Sequence, residues 1–255
     1  MKVFIKNNFL RVKGRKAKAF TLAEVLITLG VIGVVAAMTL PTLIHNYQKK
    51  VWVNQLKKSY STLEQGFQKM MADEGVDRLS DVSFISNLET DCMYGNNSDE
   101  CKPFNEGLKR YFKGDWGKFT QKVCNLNNKN ECDYNPEDIY LSMPDGAQVG
   151  FNYVPTFNSK CQNIKANGGH MCNAVGWLFI DINGPKGPNV YGRDNFAFYI
   201  SENGKLYGYG SKDAHLFGSS GNISGYAIGK NCTDKNEYGH ACTGYIIENG
   251  WKMDY

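Results

Sequence analysis

The chain has 255 residues, of which 42% are hydrophobic and 21% charged, enough for one globular domain or two. Its 27 Gly, 7 Pro, 15 Tyr and 14 Phe exclude collagen-like and Pro-rich disordered chains. Residues 1–19 carry seven Lys or Arg and no acid. Because the whole chain has a net charge of +4, the remaining residues 20–255 have a net charge of −3. Charge therefore does not support nucleic acid as a partner.

The next segment, residues 20–44, is apolar and contains Glu24 as its only ionisable side chain. About twenty apolar residues in a helix span roughly 30 Å, the thickness of a bilayer's hydrocarbon core. The basic tract before it should remain in the cytoplasm, which directs the rest of the chain outward. Three interpretations are open: a secretory signal cleaved after the small residues 35–37, a plain single-pass anchor, or a segment in which Glu24 has a specific partner.

Glu24 favours the third interpretation, because a carboxylate at a bilayer centre costs about 2.5–3.5 kcal/mol on insertion scales. Cleavage between Ala19 and Phe20 would create an α-amine four residues before Glu24. That ammonium, on the same chain or on a neighbouring one, would pair with the carboxylate in a medium of low dielectric constant.

The run Lys18-Ala19-Phe20-Thr21-Leu22-Ala23-Glu24-Val25-Leu26 resembles the prepilin cleavage and methylation motif of type IV pilins and type II secretion pseudopilins. The match covers the basic leader, Phe20 as the new first residue, Glu24 as the fifth and the apolar helix. Pro41 also fits, since many such proteins place a helix-kinking Pro at this distance from the cleavage site. Ala19 departs from the pattern, because Gly is usual before the cut.

The resemblance implies that a prepilin peptidase removes residues 1–19 and methylates the amine of Phe20. An inner-membrane assembly platform would then build the subunit into a filament with other pilin or pseudopilin subunits, which Glu24 would register. Before assembly the protein would be a single-pass inner-membrane protein surrounded by lipid, with an extracytoplasmic head. After assembly it would lie in the periplasm or in a cell-surface filament. At Pro41 we expect a bend or a local melt of the helix.

An amphipathic helix should continue over residues 45–75 and end near Gly75. Its apolar stripe needs a sheet to pack on. The expected organisation is a leader at 1–19, a transmembrane or filament-core helix at 20–44, the continuation at 45–75 and a head at 76–255. The predicted stripe consists of Leu43, Tyr47, Val51, Leu56, Tyr60, Leu63, Phe67 and Met70.

Short aromatic or β-branched runs, bounded by Gly, Asn and Asp, predict strands in the head. Asn203-Gly204 predicts a hairpin turn. No helical crossover separates the late strands, so the sequence predicts an α+β fold: a long N-terminal helix packed on a mainly antiparallel sheet, pilin-like, with disulfide-stapled loops. The predicted strands are Ile139–Ser142, Gln148–Val154, Gly176–Ile182, Asn195–Ser201, Lys205–Gly210 and Thr243–Glu248.

The eight cysteines all follow the apolar helix and form four close pairs along the chain. Of 105 pairings, local ones close the shortest loops at the least entropic cost, so we predict four local bridges and an oxidising compartment. The alternative is a zinc site from the two Gly-His-x-Cys repeats at 169–172 and 239–242, although the chain has no Cys-x-x-Cys. The predicted pairs are Cys92 with Cys101, Cys124 with Cys132, Cys161 with Cys172, and Cys232 with Cys242.

The segment 181–194, DINGPKGPNVYGRD, is the candidate metal site. Asp181 and Asn183 present alternating oxygen ligands at a tight turn, and Asp194 would complete a shell for calcium. The alternative is an ordinary turn in which Asp181 and Asn183 cap backbone amides. Pairing of Arg193 with either aspartate would argue against a cation.

No catalytic motif is present: the chain lacks Gly-x-Ser-x-Gly, His-Glu-x-x-His and a phosphate-binding Gly-rich Lys loop, so we do not expect an enzyme. The preferred function is a prepilin-like structural subunit of a type IV pilus or type II secretion-type filament. Two alternatives stay open. One is a minor pilin or adhesin-like head that recognises DNA, glycan or a surface, and the other is a globular protein secreted after signal-peptidase cleavage behind Ala37.

Overall fold

The computed structural model describes residues 20–88, 92, 98–118, 122–128, 130–133, 139–153, 174–211, 232 and 239–255. Its backbone forms two units, Met1–Asn46 and Tyr47–Tyr255. Helix α1, Leu22–Glu74, contributes residues to both.

In the first unit, the described residues form a helical segment whose apolar side chains are exposed. The exposed fraction of its large apolar side chains runs from 42% at Val25 to 86% at Phe20. The residues on both sides of Pro41 are helical, so the expected local melt is absent. By length and composition α1 is capable of crossing a membrane.

In the second unit, α1 is amphipathic and buries one face in the head. The buried side chains recur at three- and four-residue spacing, as a single helix face requires. Within the predicted stripe, Leu43 and Tyr47 are exposed instead, and Val51 and Tyr60 are half-buried, whereas the other four members are buried as expected. The helix ends at Glu74 and is followed by Gly75, whose φ of +66° favours glycine. The buried residues of α1 are Trp52, Val53, Leu56, Ser59, Leu63, Phe67, Met70 and Met71.

Shorter helices follow α1 in the head. A 3₁₀ turn at Leu79–Asp81 leads into α2, Ser83–Ser86, and α3 covers Lys102–Tyr111. Helix α4, Cys242–Glu248, lies close to the end of the chain.

The sheet has the strand order β1-β4-β5-β6-β7-β8, and each neighbouring pair is antiparallel. A separate two-stranded ladder joins β2 and β3. The mainly antiparallel α+β fold predicted from sequence is therefore confirmed. The strands are β1 Asp115–Lys118, β2 Val123–Cys124, β3 Cys132–Asp133, β4 Ile139–Ser142, β5 Gln148–Tyr153, β6 Ala174–Asp181, β7 Asn195–Ser201 and β8 Leu206–Gly208.

The sheet has an apolar inner face and a mixed outer face, because side chains alternate along each strand. The inner face joins the buried face of α1 in one hydrophobic core. Phe67 of α1, for example, meets Phe151 of β5 edge-on, with 6.3 Å between ring centroids. Inner-face residues that are fully buried include Leu141, Val149, Leu178, Ile180, Phe196 and Phe198.

One predicted strand was wrong: residues 243–248 belong to helix α4. The run is rich in β-branched and aromatic residues, but the buried Cys242, Thr243 and Ile246 follow helical spacing rather than alternation. The start of α4 also packs directly on the end of β8, where the Gly244 N–H donates to the Tyr209 carbonyl at 2.7 Å. These tertiary contacts override a local preference that favoured a strand.

Two of the four predicted disulfides are confirmed, Cys92–Cys101 and Cys124–Cys132. The predicted pair at 161 and 172 lies outside the described residues. Cys232 and Cys242 are both buried, with the Cys242 Sγ 3.4 Å from the Cys232 carbonyl oxygen. The structure records no bond between their sulfurs, so this bridge stays a prediction.

Candidate functional site

The start of α1 carries the predicted assembly residue Glu24, and the structure gives its carboxylate a local partner. The backbone N–H and the hydroxyl of Thr21 both donate to Glu24 Oε2, each at 2.9 Å. The Glu24 N–H donates in return to Thr21 Oγ1 at 3.2 Å. This reciprocal pattern is a capping box, which satisfies N–H groups that the first turn of a helix otherwise leaves unpaired.

The capping box adds a residue that the sequence prediction missed. Thr21-Leu22-Ala23-Glu24 is the Thr-x-x-Glu signature of a helix start, so the signal was present in the sequence. Phe20, next to the cap, is 86% exposed, whereas Ala19 lies outside the described residues. Pairing of Glu24 with a processed amine therefore stays a prediction, as does the assembly role of Pro41.

Of the predicted metal-site residues, Asp181 is the last residue of β6, whereas Asn183 and Asp194 lie in the loop that joins β6 to β7. The Ile182 N–H donates to the Asp194 carbonyl at 2.9 Å and closes the base of this loop. The Asp194 carboxylate accepts from the N–H groups of Asn189 at 2.8 Å and Val190 at 2.7 Å. Asp181 Oδ1 accepts from the Asn183 N–H at 3.2 Å. Asp181 therefore caps a backbone amide, as the alternative interpretation of an ordinary turn predicts.

Asp181 and Asp194 have no exposed surface. Burial, together with the nearby Asp194 carboxylate, raises the pKa of Asp181 to about 8. Burial also raises the pKa of Asp194, against hydrogen bonds from Val190 and Asn189 that lower it. Among the salt bridges of the described residues, none joins Arg193 to either aspartate. The ion pair with Arg193 that would have argued against a bound cation is therefore not seen among these residues.

Three polar residues lie side by side across the strands at the base of the loop. Gln148 of β5 pairs with Asp181 of β6, which in turn pairs with Asn195 of β7. Directly paired residues point to the same side of a sheet, and here that side is the outer face. Asp181 is therefore joined by Gln148 and Asn195, which the sequence prediction missed because their proximity depends on strand register.

Five oxygen atoms in this region are buried and accept no hydrogen bond from the part of the chain that the structure describes. In the strands they are Gln148 Oε1, Asp181 Oδ2 and Asn195 Oδ1. In the loop they are Asn183 Oδ1 and Asn189 Oδ1. Buried polar atoms without partners are rare in folded proteins, so this group needs a physical explanation.

The zinc alternative is not supported by the residues that are described. His240 lies in an aromatic pocket, with 4.0 Å between its ring centroid and that of Tyr191 and 6.0 Å to that of Phe179. Burial lowers the pKa of His240 to about 4. No group of three or more His, Cys, Asp or Glu side chains suited to a metal occurs in the described ranges, and His170 and Cys172 lie outside them.

Aromatic side chains also occupy the outer face of β6, β7 and β8. Tyr199 stacks on Tyr209 with 4.2 Å between ring centroids and 10° between ring planes. Trp177 and Tyr207 pack in the same cluster. The described rings therefore pack against one another. Residues 207–226 are rich in Tyr and Gly, and those after 211 lie outside the described residues.

Comparison with known families assigns both parts of the chain. The model of a family of unknown function, DUF6613, matches residues 42–255. The chain belongs to this family. The prokaryotic N-terminal methylation motif matches residues 14–40, which include Ala19, Phe20 and Glu24. No curated protein and no solved structure matches the chain.

The methylation motif is the signature of type IV pilins and pseudopilins, so the resemblance predicted from residues 18–26 is confirmed. This DUF6613 member combines that motif with an apolar helix and an antiparallel α+β head. It is therefore a type IV pilin-like prepilin subunit, consistent with membrane anchoring through its N-terminal helix.

Proposed function

We propose that this DUF6613 protein is a structural subunit of a type IV pilus or type II secretion-type filament, cleaved after Ala19 and methylated at Phe20 by a prepilin peptidase. The observation that carries the proposal is the exposure of the N-terminal helix. From Phe20 to Ile44 its large apolar side chains are 42–86% exposed. A surface of this kind needs lipid or neighbouring subunits around it.

Small residues on this helix favour a filament over a plain anchor. A Cβ atom added at Gly30 or Gly33 would meet nothing within 4 Å, so the space beside both glycines is open to another helix. Ala36 and Ala37 extend the run of small side chains. Close approach of backbones through small residues is how apolar helices associate when the hydrophobic effect does not distinguish lipid from protein.

The head is proposed to lie outside the cytoplasm. The disulfides Cys92–Cys101 and Cys124–Cys132 support an oxidising compartment. The basic residues 1–19 support the same orientation through the positive-inside rule. Assembly then requires an inner-membrane platform and further pilin or pseudopilin subunits as partners.

Mass spectrometry of the mature amino terminus tests the processing step. We expect a chain that begins at Phe20 and carries one methyl group on its α-amine. A chain that begins at Met38 would show secretion by signal peptidase, and a chain that retains residues 1–19 would show a plain anchor. Either of these outcomes contradicts the proposal.

Assembly is tested by two substitutions at Glu24. Glu24→Ala removes both the charge and the acceptor for Thr21, and we expect it to be processed but absent from filaments. Glu24→Gln retains an acceptor for Thr21 while removing the charge. If pairing with the Phe20 amine drives assembly, Glu24→Gln fails as Glu24→Ala does, whereas its incorporation would show that capping alone is sufficient.

Glu106→Ala is the matched control for both variants, since this glutamate lies on α3 with a side chain 66% exposed. It should enter filaments at the wild-type level. Subunit counts along isolated filaments then separate an abundant structural component from a minor component at the tip.

A further inference from the structure

Basic and aromatic side chains follow the apolar segment of α1 within two turns of the helix. We define the headgroup collar as Tyr47, Lys49, Lys50 and Tyr255, all of which belong to the second unit. We propose that the headgroup collar binds anionic phospholipid headgroups at the surface of the leaflet from which the helix emerges. The inference rests on the membrane-inserted state in the proposed function and identifies the residues that meet the lipid.

The first argument is position along the helix. Residues 25–44 contain no ionisable side chain and are helical throughout. These twenty residues span about 30 Å, the thickness of a bilayer's hydrocarbon core. Residues 47–50 then lie about 4.5–9 Å beyond the apolar segment along the helix axis. The polar layer of each leaflet is about 5–8 Å thick, so the collar matches the level of the lipid phosphates.

The second argument is positive charge that the described part of the protein does not neutralise. Residues 25–63 contain four lysines and no Asp or Glu. Lys58 pairs with Asp145 at 3.0 Å, whereas no salt bridge of the described residues includes Lys49 or Lys50. The Lys50 side chain is exposed. A leaflet that contains anionic lipid attracts lysines placed in this way.

The third argument is the presence of tyrosines beside these lysines. Tyr47 is 68% exposed. Tyr255 is half-buried, and 5.9 Å separate the centroid of its ring from Lys49 Nζ. Lys49 Nζ also donates to the Tyr255 carbonyl oxygen, which holds the tyrosine next to α1. Tyrosines are enriched at membrane–water interfaces, where lysine stems lie along apolar surface and their ammonium groups reach the phosphates.

A second copy of the chain is the other occupant that the charge of the collar admits. Successive residues of an α-helix are about 100° apart, so Tyr47, Lys49 and Lys50 spread over about half of the helix circumference. A lipid leaflet surrounds an inserted helix and reaches all of these side chains, whereas a neighbouring helix contacts a narrower face. The spread of the collar therefore favours lipid.

The first test measures how fast single lysines are acetylated, by mass spectrometry. The full chain is placed singly in lipid nanodiscs, either of phosphatidylcholine alone or with about 30% phosphatidylglycerol, which supplies the anionic surface. We expect Lys50 to react about fivefold more slowly on the anionic bilayer, the effect of one lysine near such a surface. This difference should disappear at about 1 M salt, where charges are screened within about 3 Å.

Lys57 is the matched control in the same sample. It is exposed and lies on nearly the same side of α1 as Lys50, two turns later. It is therefore about 10 Å farther along the axis, more than one screening length at physiological salt. Its acetylation rate should be the same on both bilayers. An unchanged rate at Lys50, or an equal change at Lys57, would overturn the proposal.

This measurement requires neither cleavage nor polymerisation of the chain. Equal acetylation of Lys50 on the two bilayers would reject the headgroup contact and leave the filament role intact. A mature chain that retains residues 1–19 would reject the filament role and leave the acetylation result intact. The two failures are therefore distinguishable.

Photo-crosslinking in vesicles that hold many chains identifies the occupant directly. Tyr47→p-benzoylphenylalanine places a photoreactive aromatic ring at the exposed position, and we expect it to crosslink to phospholipid. Asn54→p-benzoylphenylalanine is the matched control, since Asn54 is exposed on the same side of α1 two turns later and should give no lipid crosslink. Crosslinks from position 47 to a second chain, without any to lipid, would show that another copy covers the collar and would overturn the lipid assignment.

Discussion

The two units of the molecule contain similar apolar side chains in opposite environments. Leu29, in the first unit, is 61% exposed, whereas Leu63, in the second, is fully buried. The first part of α1 is apolar on all sides, and the later part alternates polar and apolar positions at helical spacing. The comparison shows that the distribution of apolar side chains around a helix indicates its environment. A helix that is apolar on all sides suits lipid or other apolar helices, whereas an amphipathic helix matches one face of a folded core.

The largest test of this contrast replaces the same residue type in both units. Leu63→Ala should lower the free energy of unfolding of the head by about 2–5 kcal/mol, because it opens a cavity against the sheet. Leu29→Ala should change it by less than about 0.5 kcal/mol, since this side chain is exposed. Urea titration of full-length protein in detergent, followed by tryptophan fluorescence, measures both. Equal effects would show that the two units are not energetically distinct.

Histidines give the second comparison, because His240 is buried and His45 is exposed. The pKa of His240 falls to about 4 in the folded state, below an unfolded value near 6.5. The folded head is therefore favoured above pH 6.5 and loses up to about 3 kcal/mol as the pH falls from 6.5 to 4. His240→Phe should reduce the difference in melting temperature between pH 7 and pH 5. His45→Gln should leave it unchanged, and the reverse result would reject the role of burial.

The third test uses cysteines, which occur in the head and not in residues 20–46. Replacing both members of the Cys92–Cys101 bridge with serine should lower head stability by about 2–3 kcal/mol, through the greater freedom of the unfolded chain. Insertion of the apolar helix into vesicles should be unchanged. Urea midpoints and carbonate extraction measure the two properties, and loss of insertion would show that the units depend on each other.

The smallest expected effect concerns the capping box. Thr21→Val should weaken the start of α1 by about 1 kcal/mol, because the hydroxyl that pairs with Glu24 is lost. Hydrogen exchange of the amides at 22–25 should then be faster. Thr39→Val is the matched control, since the Thr39 hydroxyl donates only to the Val35 carbonyl within the helix. Equal exchange in both variants would mean that the cap does not hold the helix start.

Much of the fold could be predicted because the local pattern of apolar and polar residues agrees with the burial that those residues have in the folded head. Asn195–Ser201 and Ile139–Ser142 are strands with the predicted bounds. Residues 243–248 could not be predicted correctly, since contacts with β7 and β8 decide the conformation of a short run. The two-residue strands β2 and β3 carry too few side chains to show any period.

The candidate sites divide in the same way. The methylation motif, Glu24 and the Asp181–Asp194 loop could be found in the sequence because their residues are close along the chain. The capping role of the Thr21 hydroxyl could also have been predicted from the Thr-x-x-Glu spacing of Thr21 and Glu24. Gln148 and Asn195 could not be linked to Asp181 without strand register, since they come from different strands.

The backbone conformation and close packing of Gly192 limit which substitutions the head tolerates at this position. Its φ is +77°, and a Cβ atom there would lie 2.7 Å from Cys242 Sγ and 3.0 Å from the Gly239 carbonyl oxygen. A side chain at this position would both strain the backbone and push the loop away from the start of α4. Among DUF6613 members that retain this packing, we therefore expect position 192 to remain glycine while length variation is absorbed by other loops.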